Sequence, residues 1–199
     1  MIGYDRLGTN GRFGNQLFQY AALKGIAAYH GYDWCIPPDS HETYANYGMH
    51  HPFNLTNMTE KNIGFINQDV SSGAMNSFNQ LCHHNSQTKN VTESCYNFDE
   101  DLFNNFEDGT NLDGYLQTEK YFKHIRKELL QDLSFKPEVL EPCNEFISNF
   151  ESIHFLHVRR GDNVGREDYY RMMTFDYYKR ALKLFPEDSY VLVLSLIHI

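Results

Sequence analysis

Ser152-Ile153-His154-Phe155-Leu156-His157-Val158-Arg159-Arg160-Gly161-Asp162 is the stretch that decides the fold. Ile153 to Val158 reads as a buried strand, and an arginine-rich loop follows it directly. Phe175 to Phe185 then places Tyr178, Ala181, Leu182 and Phe185 on one inward helical face, and Tyr190 to about Val193 reads as a second strand. A β-α-β order requires a crossover whose helix covers a parallel sheet, so a Rossmann-like domain is expected to begin near Ser152. Two strands do not make a stable open sheet, which favours a chain cut short within that domain. Leu194 to Ile199 also matches a peptide read from one frame of a transposon end used in sequencing libraries. The native gene is therefore expected to stop near Val193 in this chain, unless these apolar residues continue a buried strand.

Upstream, Asn15 to His30 carries Leu17, Phe18, Ala21, Ala22, Gly25, Ile26 and Tyr29 at helical spacing, with Gly31 placed to cap it. Pro37 to Asn111 is rich in Asn, Ser, His and Thr and has only short apolar pieces, which predicts loops with small elements. Phe122, Ile125, Leu129 and Leu133 mark a second amphipathic helix over Glu119 to Leu133. Val139, Leu140, Cys143, Phe146, Ile147 and Phe150 mark a third. The expected organisation is an α/β lobe over residues 1–151, the first β-α-β unit of a second lobe over 152–193, and a non-native tail over 194–199.

Of 199 residues, 41% are apolar and 15% aromatic, enough to bury a core. The net charge of -9 excludes a general nucleic-acid binder, which holds phosphates with clustered Lys and Arg. An anionic ligand must meet a local positive site, and the tight cluster is Arg159, Arg160 and Arg166. Cys35, Cys82, Cys95 and Cys143 lie scattered, without zinc-ligand spacing, so ordinary thiols and no metal are expected. Asn54, Asn57 and Asn90 each begin an N-x-Thr triplet, a weak signal in an Asn-rich chain. No apolar run approaches the roughly 18 to 20 residues of a membrane helix, which predicts a soluble, cytoplasmic chain.

Two segments carry chemistry. Gly11-Arg12-Phe13-Gly14-Asn15-Gln16 lies directly before the first helix, where backbone N–H groups and the positive helix end can face an anion, although two glycines there also make a plain tight turn. His157-Val158-Arg159-Arg160-Gly161-Asp162 sits at the carboxyl end of a strand, where open α/β sheets bind ligands. One guanidinium can fork onto phosphate oxygens while Asp162 pairs with the other; a purely structural Arg-Asp bridge is the alternative.

Together, Gly11 to Ala21 (GRFGNQLFQYA) and His157 to Val164 (HVRRGDNV) resemble the α-1,2-fucosyltransferases of glycosyltransferase family 11. Between them Asp113 to Phe122 (DGYLQTEKYF) resembles a third stretch of that family. The resemblance implies a GT-B-like two-lobed α/β architecture whose second, Rossmann-like lobe is incomplete here, with GDP-fucose as donor and inversion at the anomeric carbon. It implies donor contacts from Arg12, Gly14, Asn15, Gln16, His157, Arg159 and Arg160, with Arg159 on the diphosphate. The family's later motifs are missing, so guanine recognition and activity of this fragment are expected to be missing too.

Chemically, GDP leaves as its diphosphate gains charge, and a preplaced Arg159 stabilises that charge more in the transition state. Asp99-Glu100-Asp101 spells the D-x-D of metal-dependent transferases, but it lies in an acidic loop and the resembling family does not depend on metal; no cofactor is expected. The acceptor hydroxyl needs a base. Asp162 is the near carboxylate, yet it also suits an arginine, and His157 also suits a strand-end role, so the base stays open. The expected partners are GDP-fucose and a galactose-containing glycan acceptor accepting on its 2-hydroxyl, no nucleic acid, and a membrane surface for the parent. A different GDP-fucose-dependent transferase, or a non-catalytic GDP-sugar-binding protein, are the competing functions.

Overall fold

A computed structural model describes residues 1–39, 48–66 and 89–195, the side chain of Asp162 excepted. The chain divides into two compact units, Met1–Lys136 and Pro137–Ile199. Each is a mixed α/β arrangement with parallel strands.

In the first unit, β1 (Ile2–Gly3), β2 (Trp34–Cys35), β3 (Lys89–Thr92) and β4 (Thr110–Asp113) form a sheet in the order β2-β1-β4-β3. All pairings are parallel, with Gly3 opposite both Cys35 and Asn111, and Lys89 to Thr92 opposite Thr110 to Asp113. Neither β3 nor β4 stands out in the sequence, because Lys89-Asn90-Val91-Thr92 and Thr110-Asn111-Leu112-Asp113 are short and polar. α1 (Phe13–His30) connects β1 to β2 and buries Gln16, Gln19 and the run Tyr20 to Ala27. Gly31 ends it in the left-handed region at φ 72°, and its N–H donates to the Ala27 carbonyl, the cap its position predicts. Phe18 and Tyr29 share the helical spacing but sit at the margin, 38% and 55% exposed, against the rings of Phe122 and Phe103.

The continuous helix expected over Glu119 to Leu133 is broken. Short 3₁₀ turns at Glu119–Tyr121 and Lys123–Ile125 precede α3 (Arg126–Asp132), while α2 (Glu100–Asn105) lies before β4. The reason is close packing: a Cβ on Gly25 of α1 would lie 2.1 Å from the Tyr121 carbonyl oxygen, so backbone meets backbone there and residue 122 leaves helical geometry. The core joins Ile2, Tyr4, Leu23, Ile26, Leu112 and Tyr121. Beneath it, fully buried Asp132 accepts from the Lys24 ammonium, from the Tyr20 hydroxyl at 3.0 Å, and from the Asn57 backbone and side-chain N–H groups at 2.9 and 2.8 Å. Burial pushes the Asp132 carboxyl up, but these donors outweigh it and hold its pKa below the usual carboxylate range.

Other sequence signals are absorbed structurally. Asp99 caps α2 by accepting from the Leu102 N–H, and Asp101 accepts from Asn105. Asn54 donates to Ser134 and Phe135, and Asn90 accepts from Asn111. Cys35 is a buried free thiol, pushed up to about 12 by burial and then by Asp5; Cys95 and Cys143 are exposed thiols, and Cys82 lies outside the described residues. No helix among the described residues is long and apolar enough to cross a membrane.

The second unit holds α4 (Pro137–Ile147), β5 (Ile153–Val158), α5 (Phe175–Leu182) and β6 (Tyr190–Ser195). β5 and β6 pair in parallel from Ile153 opposite Tyr190 to Val158 opposite Ser195, which is the β-α-β order read from the sequence. The expected burial is absent: no described side chain from Pro137 to Ser195 is buried, and Phe155 and Val193 are 54% and 56% exposed. The physical reason is that two strands offer too little surface to enclose both sheet faces. Of the inward face expected on α5, Tyr178, Ala181 and Leu182 are half-buried, while Phe185, beyond the helix, is exposed but stacks on His154. β6 extends through Leu194 and Ser195; residues 196–199 of the expected tail lie outside the described residues.

Candidate functional site

In the first unit β1 stands between β2, which it reaches through α1, and β4. The strand order reverses there, and the crevice outside the carboxyl ends of β1 and β4 is where open parallel sheets hold ligands. Tyr4 leaves β1 and clamps the exit of β4: its hydroxyl donates to the Gly114 carbonyl at 2.6 Å and accepts from the Gly114 N–H at 3.1 Å. Burial, then the nearby Asp113 carboxylate, raise the Tyr4 pKa, so the phenol keeps the proton it donates. Gly114 has φ 137°, and a Cβ on it would lie 2.7 Å from the Glu93 Cβ, so glycine is needed for the two segments to approach.

The loop between β1 and α1 is fastened to the same place. Arg6 Nη1 lies 3.2 Å from Asp113 Oδ2, and Asn10 Nδ2 donates to Asp113 Oδ1 at 2.6 Å. Gln19 Nε2 on α1 donates to the carbonyls of Asn10 and Gly114 at 2.9 and 3.0 Å. Gly11 has φ 84°, and a Cβ there would strike the Asn15 side chain at 1.7 Å, so this glycine permits the tight entry into α1.

Of the residues expected in the Gly11 to Gln16 loop, Arg12 occupies the N-cap of α1 with its side chain exposed. Asn15 is half-buried, and its Oδ1 accepts from Gln117 Nε2 at 2.5 Å. Gln16 is fully buried, with its Oε1 accepting from the Gly48 N–H at 3.3 Å, a role inside the fold rather than on its surface. A Cβ on Gly14 would meet no heavy atom within 4 Å, so packing does not explain that glycine. The Asn15 contact joins two landmarks that lie 102 residues apart, the Gly11 loop and the Asp113 to Phe122 stretch. Next to Gln117, buried Leu116 has φ 53°, a strained conformation for a branched residue, and its N–H donates to Glu93 Oε2 at 2.9 Å.

A pocket of about 300 Å³ opens at this edge, lined by Asn10, Glu93, Tyr96, Asp113, Gly114 and Tyr115 among others. Glu93 is fixed by two donors, the Tyr121 hydroxyl at 3.1 Å and the Leu116 N–H. Glu93 and Tyr96 carried no sequence signal, since they fall in the Asn/Ser-rich middle; Asp113 and Tyr115 lay within a landmark, but nothing showed which way they face. A larger groove of about 440 Å³ has a mostly apolar wall of Leu17, Phe18, Ala21, Phe122, Leu129 and Leu130, with Glu119, Lys123 and Arg126 also lining it.

In the second unit His157 is exposed near the end of β5, and Arg159 and Arg160 follow, both exposed. Gly161–Asn163 forms a 3₁₀ turn, closed by the Asn163 N–H donating to the Arg160 carbonyl at 2.8 Å. The Asp162 side chain lies outside the described residues. Glu167 accepts from the Gly165 N–H at 3.0 Å, which, with a smaller contribution from Arg160, lowers its pKa. The loop therefore presents adjacent guanidiniums at the carboxyl end of a parallel strand. The donor residues expected to share one diphosphate fall in different units, Arg12 to Gln16 in the first and His157 to Arg160 in the second.

The chain is 27% identical over 161 residues to the galactoside alpha-(1,2)-fucosyltransferase 2 of Hylobates lar, a match that takes in 77% of this chain and 40% of the relative. The chain thus spans well under half the length of the curated relative it matches. No protein-family model and no solved structure matches it. The similarity supports a relationship to a fucosyltransferase.

Proposed function

We propose that this chain is part of an inverting fucosyltransferase that moves L-fucose from GDP-fucose to a galactose 2-hydroxyl, within a GT-B-like two-lobed enzyme of glycosyltransferase family 11. The observation that carries this is the Asn15–Gln117 contact: segments resembling that family, far apart in sequence, meet at the ligand-binding edge of a parallel sheet. A third resembling segment, His157 to Val164, begins at the carboxyl end of another parallel strand. Its similarity to a galactoside fucosyltransferase points to the same chemistry.

The roles follow from charge. Arg159 holds the diphosphate with a planar fork and stabilises the negative charge that grows as GDP leaves. Arg160, His157 and, in the first loop, Arg12, Gly14 and Asn15 position the donor, Gln16 holds that loop from within the fold, and Asp162 either pairs with an arginine or takes the acceptor proton. Charge stabilisation is thus assigned to an arginine rather than to a metal, and no resident cofactor is invoked. A membrane surface as a partner of the parent protein, and a cytoplasmic site of action, belong to the same proposal.

The test is a transfer assay with GDP-fucose and lactose, run on this chain and on the longest product of its gene. A fucose on the galactose 2-hydroxyl is the expected product. Transfer only to protein hydroxyls or at another position would move the function to a different GDP-fucose-dependent transferase. Tight GDP binding with neither transfer nor hydrolysis would make it a nucleotide-sugar sensor. Because no described side chain from Pro137 to Ser195 is buried, the 199-residue chain alone is expected to bind GDP weakly and to transfer no fucose.

A further inference from the structure

We infer that the pocket at the carboxyl edge of β3 and β4 is the subsite for a neutral pyranose ring, the sugar that receives the fucose; the word receives rests on the function proposed above. The pocket measures about 300 Å³, the lower end of the roughly 300 to 1,000 Å³ of small-molecule sites, so it suits a sugar ring rather than a whole nucleotide sugar.

Its chemistry selects further. Among the described residues the charged groups lining it are carboxylates, Glu93 and Asp113, and the Arg6 guanidinium already lies against Asp113. A diphosphate would be repelled there. Each carboxylate is held by two donors, Asp113 by Arg6 and Asn10, Glu93 by Tyr121 and Leu116, which fixes its position without using all its lone pairs. A fixed acceptor with capacity left calls for a ligand that donates, and sugar hydroxyls do so without charge. At the mouth, the rings of Tyr96 and Tyr115 stand 6.1 Å apart at 37° and offer the apolar surface that the C–H face of a pyranose covers. Tyr96 is 84% exposed, a large aromatic surface that the fold itself leaves uncovered.

The test is saturation-transfer NMR of methyl β-galactoside with the full 199-residue chain, beside Tyr96→Ala, Glu93→Gln and the control Tyr169→Ala in the other unit. Tyr96 is exposed enough that its removal leaves the fold intact, which amide spectra would check. Saturation of the ring protons by the parent chain, weakened about tenfold in apparent affinity by Tyr96→Ala and unchanged by Tyr169→Ala, is the expected result. Glu93→Gln should weaken it as well, since one acceptor oxygen becomes a donor. Absence of saturation, equal saturation in Tyr96→Ala, or displacement of the sugar by GDP would each overturn the assignment. The transfer assay is separate: sugar binding without transfer by any product of the gene sinks the fucosyltransferase function and leaves the sugar site, whereas transfer without this binding does the reverse.

Discussion

Met1–Lys136 and Pro137–Ile199 are built from the same grammar, parallel strands joined through helices, yet among the described residues only the first encloses a core. The first unit buries Ile2, Tyr4, Leu23, Ile26 and Leu112 completely, and even turns polar Gln16, Gln19 and Asp132 inward, where each makes at least one side-chain hydrogen bond. The second pairs β5 with β6 residue by residue and still leaves its apolar side chains half in water. Backbone pairing fixes where a loop stands, and core burial fixes how firmly. The Asn10–Asp113–Gln117 edge rests on a core; the Arg159 loop rests on a ladder of hydrogen bonds.

The sharpest way to break this comparison is at Asp132. Asp132→Ala leaves the Lys24 ammonium, 5% exposed, without its buried partner, and removing one member of such a pair costs about 3 to 5 kcal/mol. Denaturant unfolding followed by amide exchange should show the loss throughout Met1–Lys136. Protection of the β5–β6 amides should not change. If both units lose protection together, they fold as one cooperative body and the contrast is wrong.

An effect nearly as large is expected on catalysis. In a product of the gene that transfers fucose, Arg159→Ala should lower kcat/KM by about a hundredfold or more, as loss of one charge donor in the transition state typically costs about 3 to 4 kcal/mol. Arg159→Lys should recover little, because an ammonium lacks the fork that grips two phosphate oxygens. Unaltered turnover in the Ala variant removes Arg159 from the mechanism.

Smaller effects grade the two cores. Leu23→Ala, in a fully buried site, should cost about 2 to 5 kcal/mol, whereas Phe155→Ala, at 54% exposure, should cost under about 1 kcal/mol despite the larger side chain removed. Gly25→Ala should cost about 1 to 3 kcal/mol, since the added methyl meets the Tyr121 carbonyl rather than a side chain that can turn away. A cost for Phe155→Ala equal to that of Leu23→Ala would show a hidden core in the second unit.

What was legible in the sequence follows the same division between pairing and packing. β5 agrees with its apolar run from Ile153 to Val158, and α1 with its spacing and with Gly31, because both patterns are local. β3 and β4 were illegible: each has a single apolar residue, Val91 or Leu112, among Lys, Asn, Thr and Asp, and what makes them strands is a neighbour distant in sequence. The helix expected across Glu119 to Leu133 breaks because Gly25, almost a hundred residues earlier, admits the Tyr121 backbone. Arg12 and Asn15 in the first unit, and Arg159 in the second, were singled out by motif. Asp113 lay within a motif that did not show which way it faces, and Glu93 and Tyr96 lay in none, since nothing in a short polar segment tells which acid the fold will bring to a sheet edge.

The smallest expected effect is the pH dependence of the buried hub, and its sign follows from the direction of one shift. The Asp132 carboxyl is held below the unfolded carboxylate value, about 3.9 for Asp, by Lys24, Asn57 and Tyr20 working against burial. Its contribution to stability is therefore complete above that value and is lost as pH falls through the lower folded pKa, because in that window the unfolded chain binds the extra proton. His50 acts earlier: burial lowers its pKa, so its contribution is complete above about 6.5 and fades as pH falls below it. Denaturation midpoints of the first unit should therefore decline gently below about pH 6.5 and more steeply below about pH 4. Asp132→Asn should start lower and flatten only the second decline; His50→Gln should flatten only the first. A steep lower decline that persists in Asp132→Asn would place the acid sensitivity elsewhere, with other carboxylates of the unit such as Asp99, which is also held low by its helix-capping bonds. In the second unit Glu167 has a lowered pKa too, but it is wholly exposed, so protection of the β5–β6 amides should follow pH much less than that of α1.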